Sequence, residues 1–285
     1  MKFAVVGAGA IGMLMACLLK DAGEEVLLMP KTEKQAKEIE TVGILKDHKL
    51  YRIPAITEFQ LISPDTYILL AVKYDALLEL VPVISRECPD NPLIFLQNGM
   101  LHLELIEEMP HQQIALGSVE HGALKVGPTE IKHTGLGTVK FALARGAATT
   151  FKPLAGIQGF QSGWVENADQ LLFRKVLLNC LINPLTALME IKNGELLTNY
   201  HAYELLKNLY TELYLAFPEI EKLLPFEEVT ALCASTSTNT SSMLADKLDK
   251  RKMELDTILL YTMRRSKLEL PLLKTLYNLL KATEV

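Results

Sequence analysis

The 285-residue chain predicts an α/β N-terminal half followed by an all-α C-terminal half. Three observations carry that expectation. Fifteen of the 16 glycines lie at or before Gly163, and nine of the 13 prolines fall before residue 164, so turns and close backbone approaches concentrate in the first part. A Gly-x-Gly-x-x-Gly run, Gly7 to Gly12, lies between two short apolar stretches. After Trp164 the chain becomes rich in Leu at spacings of three and four, with no comparable strand-like run.

The elements follow in order. Residues 2–6 (KFAVV) read as a buried strand, the glycine run as a turn, and the stretch to Ala22 as a helix stopped by Gly23. Residues 25–29 (EVLLM) form a second strand, completing a β-turn-α-β unit of the length expected for half of a dinucleotide-binding fold. A hairpin spans 43–54, with Asp47-His48 near its turn. Residues 67–72 and 93–97 are short apolar strands alternating with helices near 75–87 and 101–109, and 114–120 and 138–144 are late strands. This alternation predicts a mostly parallel, doubly wound sheet. Helices are predicted at 168–190, 200–216, 226–233, 241–250, 253–267 and 271–283. The expected domains are thus a Rossmann-type dinucleotide-binding domain over 1–165 and an all-α substrate and catalytic domain over 166–285.

Composition narrows the function classes. A chain 49% hydrophobic and 22% charged is neither disordered nor collagenous. The formal charge of −5, without long blocks of like charge, suggests no nucleic-acid surface. Cys17, Cys88, Cys180 and Cys233 are scattered and the six histidines form no ligand spacing, so reduced thiols, a cytoplasmic setting and no metal are expected. The uncharged run from Phe3 to Leu19 resembles a signal core, but it holds three glycines and no small-x-small site follows, so no leader or membrane span is expected. The Leu-rich helices leave room for a homodimer, although Leu at this spacing reads first as core.

The glycine run suits a phosphate cradle: Gly7, Ala8, Gly9, Ala10, Ile11 and Gly12 would present backbone N–H groups at a helix N-terminus. The tip of the second strand chooses the cofactor. It reads Met29-Pro30-Lys31-Thr32, with no acid to bind a ribose 2′-hydroxyl, and Lys31 offers a charge for a 2′-phosphate. NADPH is therefore expected over NADH, against the alternative of an ordinary loop lysine.

Residues 173–184 hold Lys175, Asn179 and Asn183 at i, i+4 and i+8, on one face of an otherwise mostly apolar helix. Polar groups facing an apolar region need partners. Pro184 is expected to kink this helix, leave carbonyls near Cys180 available and turn Asn183 into a cleft. A partly exposed helix with ordinary surface residues is the alternative.

These features occur in the order of a known family. Gly7-x-Gly9-x-x-Gly12, Ala71-Val72-Lys73, Gln97-Asn98-Gly99, Arg174-Lys175 through Asn183-Pro184-Leu185-Thr186-Ala187, Asn193-Gly194, Ser241-Ser242-Met243 and Glu254-Leu255-Asp256 resemble the 2-dehydropantoate 2-reductases, or ketopantoate reductases. The resemblance implies NADPH-dependent reduction of 2-dehydropantoate, a small 2-oxo acid, to (R)-pantoate. It implies Lys175 as general acid, Glu254 as the carboxylate holding the far hydroxyl, and Asn98 and Lys73 beside the cofactor and reaction centre. Asn179, Asn183, Asn239 and Ser242 would bind substrate, and Lys31 would read the 2′-phosphate. Asn193 reads better as structural, Gly194 as a glycine ending the preceding helix, and Asp256 as supporting. The chain departs from the family's usual Asn-Gly-x-Gly loop with Asn98-Gly99-Met100-Leu101, and carries Lys31 where arginine is common. Two alternatives stay open at this point: a same-fold reductase of another small 2-oxo acid, and a non-catalytic NADPH-binding protein.

Overall fold

In the computed structural model, which describes residues 1–284, the chain packs as two compact units. The first comprises Met1–Gln97 and His102–Leu171; the second comprises Asn98–Leu101 and the chain from Leu172 onward.

The first unit begins β1 (Lys2–Val6), α1 (Ala10–Asp21), β2 (Glu25–Met29), α2 (Glu33–Val42), β3 (Ile44–Lys46) and β4 (Lys49–Tyr51). It continues β5 (Tyr67–Leu70), α3 (Tyr74–Glu87), β6 (Leu93–Phe95), α4 (His102–Glu108) and β7 (Ile114–Val119). Then come β8 (Gly122–Gly127), β9 (Glu130–Gly135), β10 (Val139–Arg145), α5 (Ala148–Phe151) and β11 (Ser162–Trp164). Seven strands form the main sheet in the order β11-β10-β7-β6-β5-β1-β2. Every pair is parallel except β7 with β10. Phe3 on β1 lies between Val26 and Tyr67 in register, and β1 is buried from Phe3 onward, as a central parallel strand covered on both faces must be.

A second sheet, β4-β3-β9-β8, is only half anticipated. The β3–β4 hairpin forms as expected, with Asp47 at φ +55° in its turn. Strands β8 and β9 escape sequence reading because only Ile131 in them is buried; without an apolar face there is no alternation to detect. Helix α2 is missed for a related reason, since Ala36 and Ile39 are its only buried residues. Arg145 ends α4: its guanidinium donates to the carbonyls of Ile106, Met109 and His111 at 2.7, 2.6 and 3.0 Å, satisfying groups a helix C-terminus leaves open.

The glycine run packs α1 onto β1. A Cβ at Gly12 would stand 1.8 Å from the Gly7 carbonyl oxygen, and Gly7 itself sits at φ +105°. Seven residues of α1 are buried, so the uncharged run from Phe3 to Leu19 is strand, turn and core helix.

The second unit is helical: α6 (Ala168–Met189, entering it at Leu172), α7 (Glu195–Thr198), α8 (Tyr200–Ala216), α9 (Ile220–Leu223), α10 (Phe226–Ser235) and α11 (Ser242–Leu248). A π-helical turn over Asp256–Leu260 leads into α12 (Tyr261–Arg265), and α13 (Pro271–Lys281) follows. Helix α6 is long and apolar enough to cross a membrane by length and composition, but it is mostly buried within the protein. Helix α6 runs through Pro184 as one helix, with the Thr186 hydroxyl 2.9 and 3.1 Å from the Ile182 and Asn183 carbonyls around the proline. One local expectation is corrected. Gly194 does not end α6, which stops at Met189, where Glu190 takes φ +55°; Gly194 caps the start of α7 at φ −66° and is required because a Cβ there would lie 2.6 Å from Ser237 Cβ.

His102, at the start of α4, is fully buried with its ring stacked on Phe95 at 5.9 Å. Burial pushes its pKa down from 6.5 to about 4. Between those values the unfolded chain takes up a proton that the folded chain refuses, so stability falls as pH drops through this window, by up to about 3 kcal/mol in total. His102→Phe keeps the stack and should lose less stability than wild type between pH 6.5 and 4 in urea titrations. Gly12→Ala should destabilise by about 3 kcal/mol or more, read as a lowered denaturation midpoint, because backbone rather than a side-chain tip blocks the new methyl.

Candidate active site

In the first unit, α1 starts with Gly9 as its N-cap, with no capping side chain and no acidic residue in the first turn among the described residues. Its dipole and early N–H groups are therefore left for an external anion. Packing dictates Gly7 and Gly12 but not Gly9, whose missing Cβ would meet no described atom within 4 Å. That open space over the backbone is where a pyrophosphate fits a glycine-rich cradle. Beyond β5 and β6, at the carboxyl edge of the sheet, Gln97 donates to the Leu70 and Val72 carbonyls at 2.8 and 3.0 Å, while its buried Oε1 has no partner among the described residues. An orphaned acceptor there matches the edge at which open α/β sheets bind ligands. The residues present thus fit a dinucleotide.

Lys31 is exposed between β2 and α2, and its neighbour Thr32 caps α2 by accepting from the Gln35 N–H. Lys73 caps α3 just beyond β5. Two side chains at the cradle carry no signal in the sequence: Lys125 Nζ donates to the Ala8 carbonyl at 2.8 Å, and Gln35 Nε2 approaches the same oxygen at 3.4 Å. Partial desolvation holds the Lys125 ammonium below the ordinary lysine range. Neither residue is legible because the strand carrying Lys125 and the helix carrying Gln35 are themselves faint.

The second unit gathers the remaining candidates. Lys175 and Asn179 are half-buried and Asn183 is buried on α6, while Val176, Leu177, Cys180 and Leu181 between them bury the helix. Asn183 Nδ2 lies 3.5 Å from the Ser242 hydroxyl, a long contact, and Ser242 is otherwise exposed. Ser241 beside it is spent on structure: it caps α11 through the Leu244 N–H and sits 2.7 Å from the Thr186 hydroxyl. Asn239 accepts from the Asn193 N–H through its carbonyl, and Asn193 Nδ2 donates to Thr236, a bracing role for Asn193.

Cys180 on α6 meets the Ile258 carbonyl and the Thr262 hydroxyl at 3.7 and 3.3 Å, which sets α6 against the π-helical turn. Glu254 lies two residues before that turn. The Asn98–Leu101 segment docks on it: Asn98 Nδ2 donates to Glu254 Oε2 at 3.0 Å, and the Met100 N–H donates to the Thr257 carbonyl at 3.2 Å. Gly99, at φ +81°, has no room for a Cβ, which would stand 2.2 Å from Thr257 O. Leu101, in place of the usual second glycine, is buried and anchors the segment. Single-turn π-helices recur at functional sites, and nothing in the sequence announces this one. Lys247 bonds Glu190 and the Ala187 carbonyl at 3.0 Å each. Asp256 faces the Tyr277 hydroxyl at 2.7 Å and Lys281 at 3.3 Å. Burial raises its pKa, but these two partners outweigh it and hold the carboxyl below its usual range, so Asp256 ties α13 to the turn.

Comparison with known proteins covers both units. The family model for ketopantoate reductase PanE/ApbA matches residues 3–146, and that for the ketopantoate reductase PanE/ApbA C terminal region matches 167–284. The 2-dehydropantoate 2-reductase of Listeria monocytogenes is 32% identical over 294 residues, covering 100% of this chain and 97% of that protein. The crystal structure of a probable 2-dehydropantoate 2-reductase from Bacillus subtilis superposes with a TM-score of 0.84 at 31% identity, covering 100% of both chains. A D-mandelate dehydrogenase structure with NADH and anilino(oxo)acetate superposes with a TM-score of 0.87 at 25% identity, covering 100% of this chain and 98% of that one. With an α/β dinucleotide-type unit, a helical unit and these full-length matches, the chain belongs to the ketopantoate reductase PanE/ApbA family.

Proposed function

We propose that this chain reduces 2-dehydropantoate to (R)-pantoate with NADPH in the cytoplasm. The observation that carries the reading is the polar face of Lys175, Asn179 and Asn183 on a mainly buried helix, in a chain similar to 2-dehydropantoate 2-reductases over its whole length. NADPH, when bound, supplies the hydride. The backbone of Gly7, Ala8, Gly9, Ala10, Ile11 and Gly12 would hold its pyrophosphate, Lys31 would read the 2′-phosphate, and Lys73 and Asn98 would line the cofactor side of the reaction.

Lys175 is the general acid. Its ammonium stabilises negative charge growing on the 2-oxo oxygen and then transfers a proton from Nζ to that oxygen. Glu254 accepts the substrate's far hydroxyl through a carboxylate that Asn98 orients. Asn179, Asn183, Asn239 and Ser242 form the polar set for the rest of the substrate, with the Ser242 hydroxyl suited to its carboxylate. Exposed as it is beside Asn183, Ser242 has donor capacity to give.

The likeness to a D-mandelate dehydrogenase favours one second reading, a reductase of another small 2-oxo acid. NADPH oxidation with 2-dehydropantoate, pyruvate and 2-oxoisovalerate in parallel, repeated with NADH, decides between them. We expect turnover to be fastest with 2-dehydropantoate and NADPH; a faster rate with either unbranched or hydroxyl-free acid would support the second reading. Lys175→Ala should lower kcat by about 10²- to 10⁴-fold while NADPH fluorescence titration still shows binding. Lys31→Ala should raise the KM for NADPH and leave that for NADH nearly unchanged, and an equal change in both would remove Lys31 from 2′-phosphate recognition.

A further inference from the structure

We propose that Lys125 is a second phosphate-reading cation of the dinucleotide cradle, which also fixes the orientation of the Ala8–Gly9 peptide; the inference rests on the NADPH reading above. On β8, Leu124, Lys125 and Val126 are all exposed, and the long Lys125 side chain reaches to the glycine run. Its ammonium donates to the Ala8 carbonyl at 2.8 Å, between the first two glycines. Gln35 from α2 approaches the same oxygen at 3.4 Å and bonds the Pro128 carbonyl at 3.0 Å, which ties the β8–β9 connection to α2.

Two consequences follow from elementary geometry. A trans peptide points its C=O and the next N–H in opposite directions. With the Ala8 carbonyl held towards Lys125 and Gln35, the Gly9 N–H is turned the other way, at the glycine whose surroundings are open. An ammonium also carries three donors, and the Ala8 bond uses one. The other two, on the carbonyl side of the Ala8–Gly9 peptide, remain for phosphate oxygens of a dinucleotide laid along the glycine run. Those oxygens belong either to the pyrophosphate, present in NADH and NADPH alike, or to the 2′-phosphate, present in NADPH alone.

The test is fluorescence titration of NADPH and NADH against full-length wild type, Lys125→Met and Lys125→Arg, at low and at high salt. Thermal melting of each protein without nucleotide checks folding. Lys125→Met should raise the NADPH Kd about tenfold at low salt, the difference should shrink near 1 M salt, and Lys125→Arg should recover most of the loss. A parallel loss for NADH assigns the contact to the pyrophosphate, and a loss for NADPH alone assigns it to the 2′-phosphate. Unchanged affinity for both, or a loss indifferent to salt and not recovered by arginine, overturns the proposal. Wild-type protein that binds neither nucleotide would instead overturn the cofactor reading itself.

Discussion

The approach of Gly12 to the Gly7 carbonyl is the constraint from which the first unit is built. It lets α1 lie directly on β1, with room for no side chain between them. That contact sets where the helix begins, and therefore where its unpaired N–H groups point. The middle glycine of the run obeys a different rule. Gly9 is crowded by nothing, so the fold itself leaves room for a side chain there. One short motif thus contains two kinds of glycine, those that packing demands and one that packing leaves open. The structure separates them by asking what a methyl group would meet.

The second unit has a comparable point of close approach. Gly99 presses against the Thr257 carbonyl, the Met100 N–H closes on the same oxygen, and the Asn98 amide reaches Glu254. Three adjacent residues thereby bind the start of the π-helical turn. Cys180 packs on that turn from the side of α6. The proposed acid and the proposed substrate carboxylate are consequently carried by neighbouring, mutually packed elements, which favours a fixed geometry over a flexible one.

The parts legible in the sequence were those with strong periodicity or strict sterics. The β-turn-α-β unit announces itself because β1 is buried on both faces and Gly7 and Gly12 leave no room for a side chain. Helix α6 announces itself by its long apolar spacing. What escaped was held together by polar or singular contacts. Strands β8 and β9 bury one apolar residue, so their sheet has no hydrophobic signature, and with it Lys125 was hidden. The π-helical turn depends on tertiary packing that no local pattern records. Gly194 was misread because a glycine after a helix has two uses. Here its backbone conformation is ordinary, and the need is spatial, against Ser237. Of the site residues, the face of Lys175, Asn179 and Asn183 could be read from spacing. The pairing of Asn98 with Glu254 could not, since it joins positions 156 residues apart.

The docking of Asn98–Leu101 has a consequence for how the molecule can be divided. The second unit is assembled from two stretches of chain separated by residues 102–171. A fragment cut at Leu172 would remove the Met100 N–H and the Asn98 amide that donate to the Thr257 carbonyl and the Glu254 carboxylate, and would trim the first turn of α6. The helical half is therefore not a free-standing module that a recombination event or a split-protein design could lift out at one junction. Any viable cut must carry the borrowed tetrapeptide along, or supply it from a companion fragment.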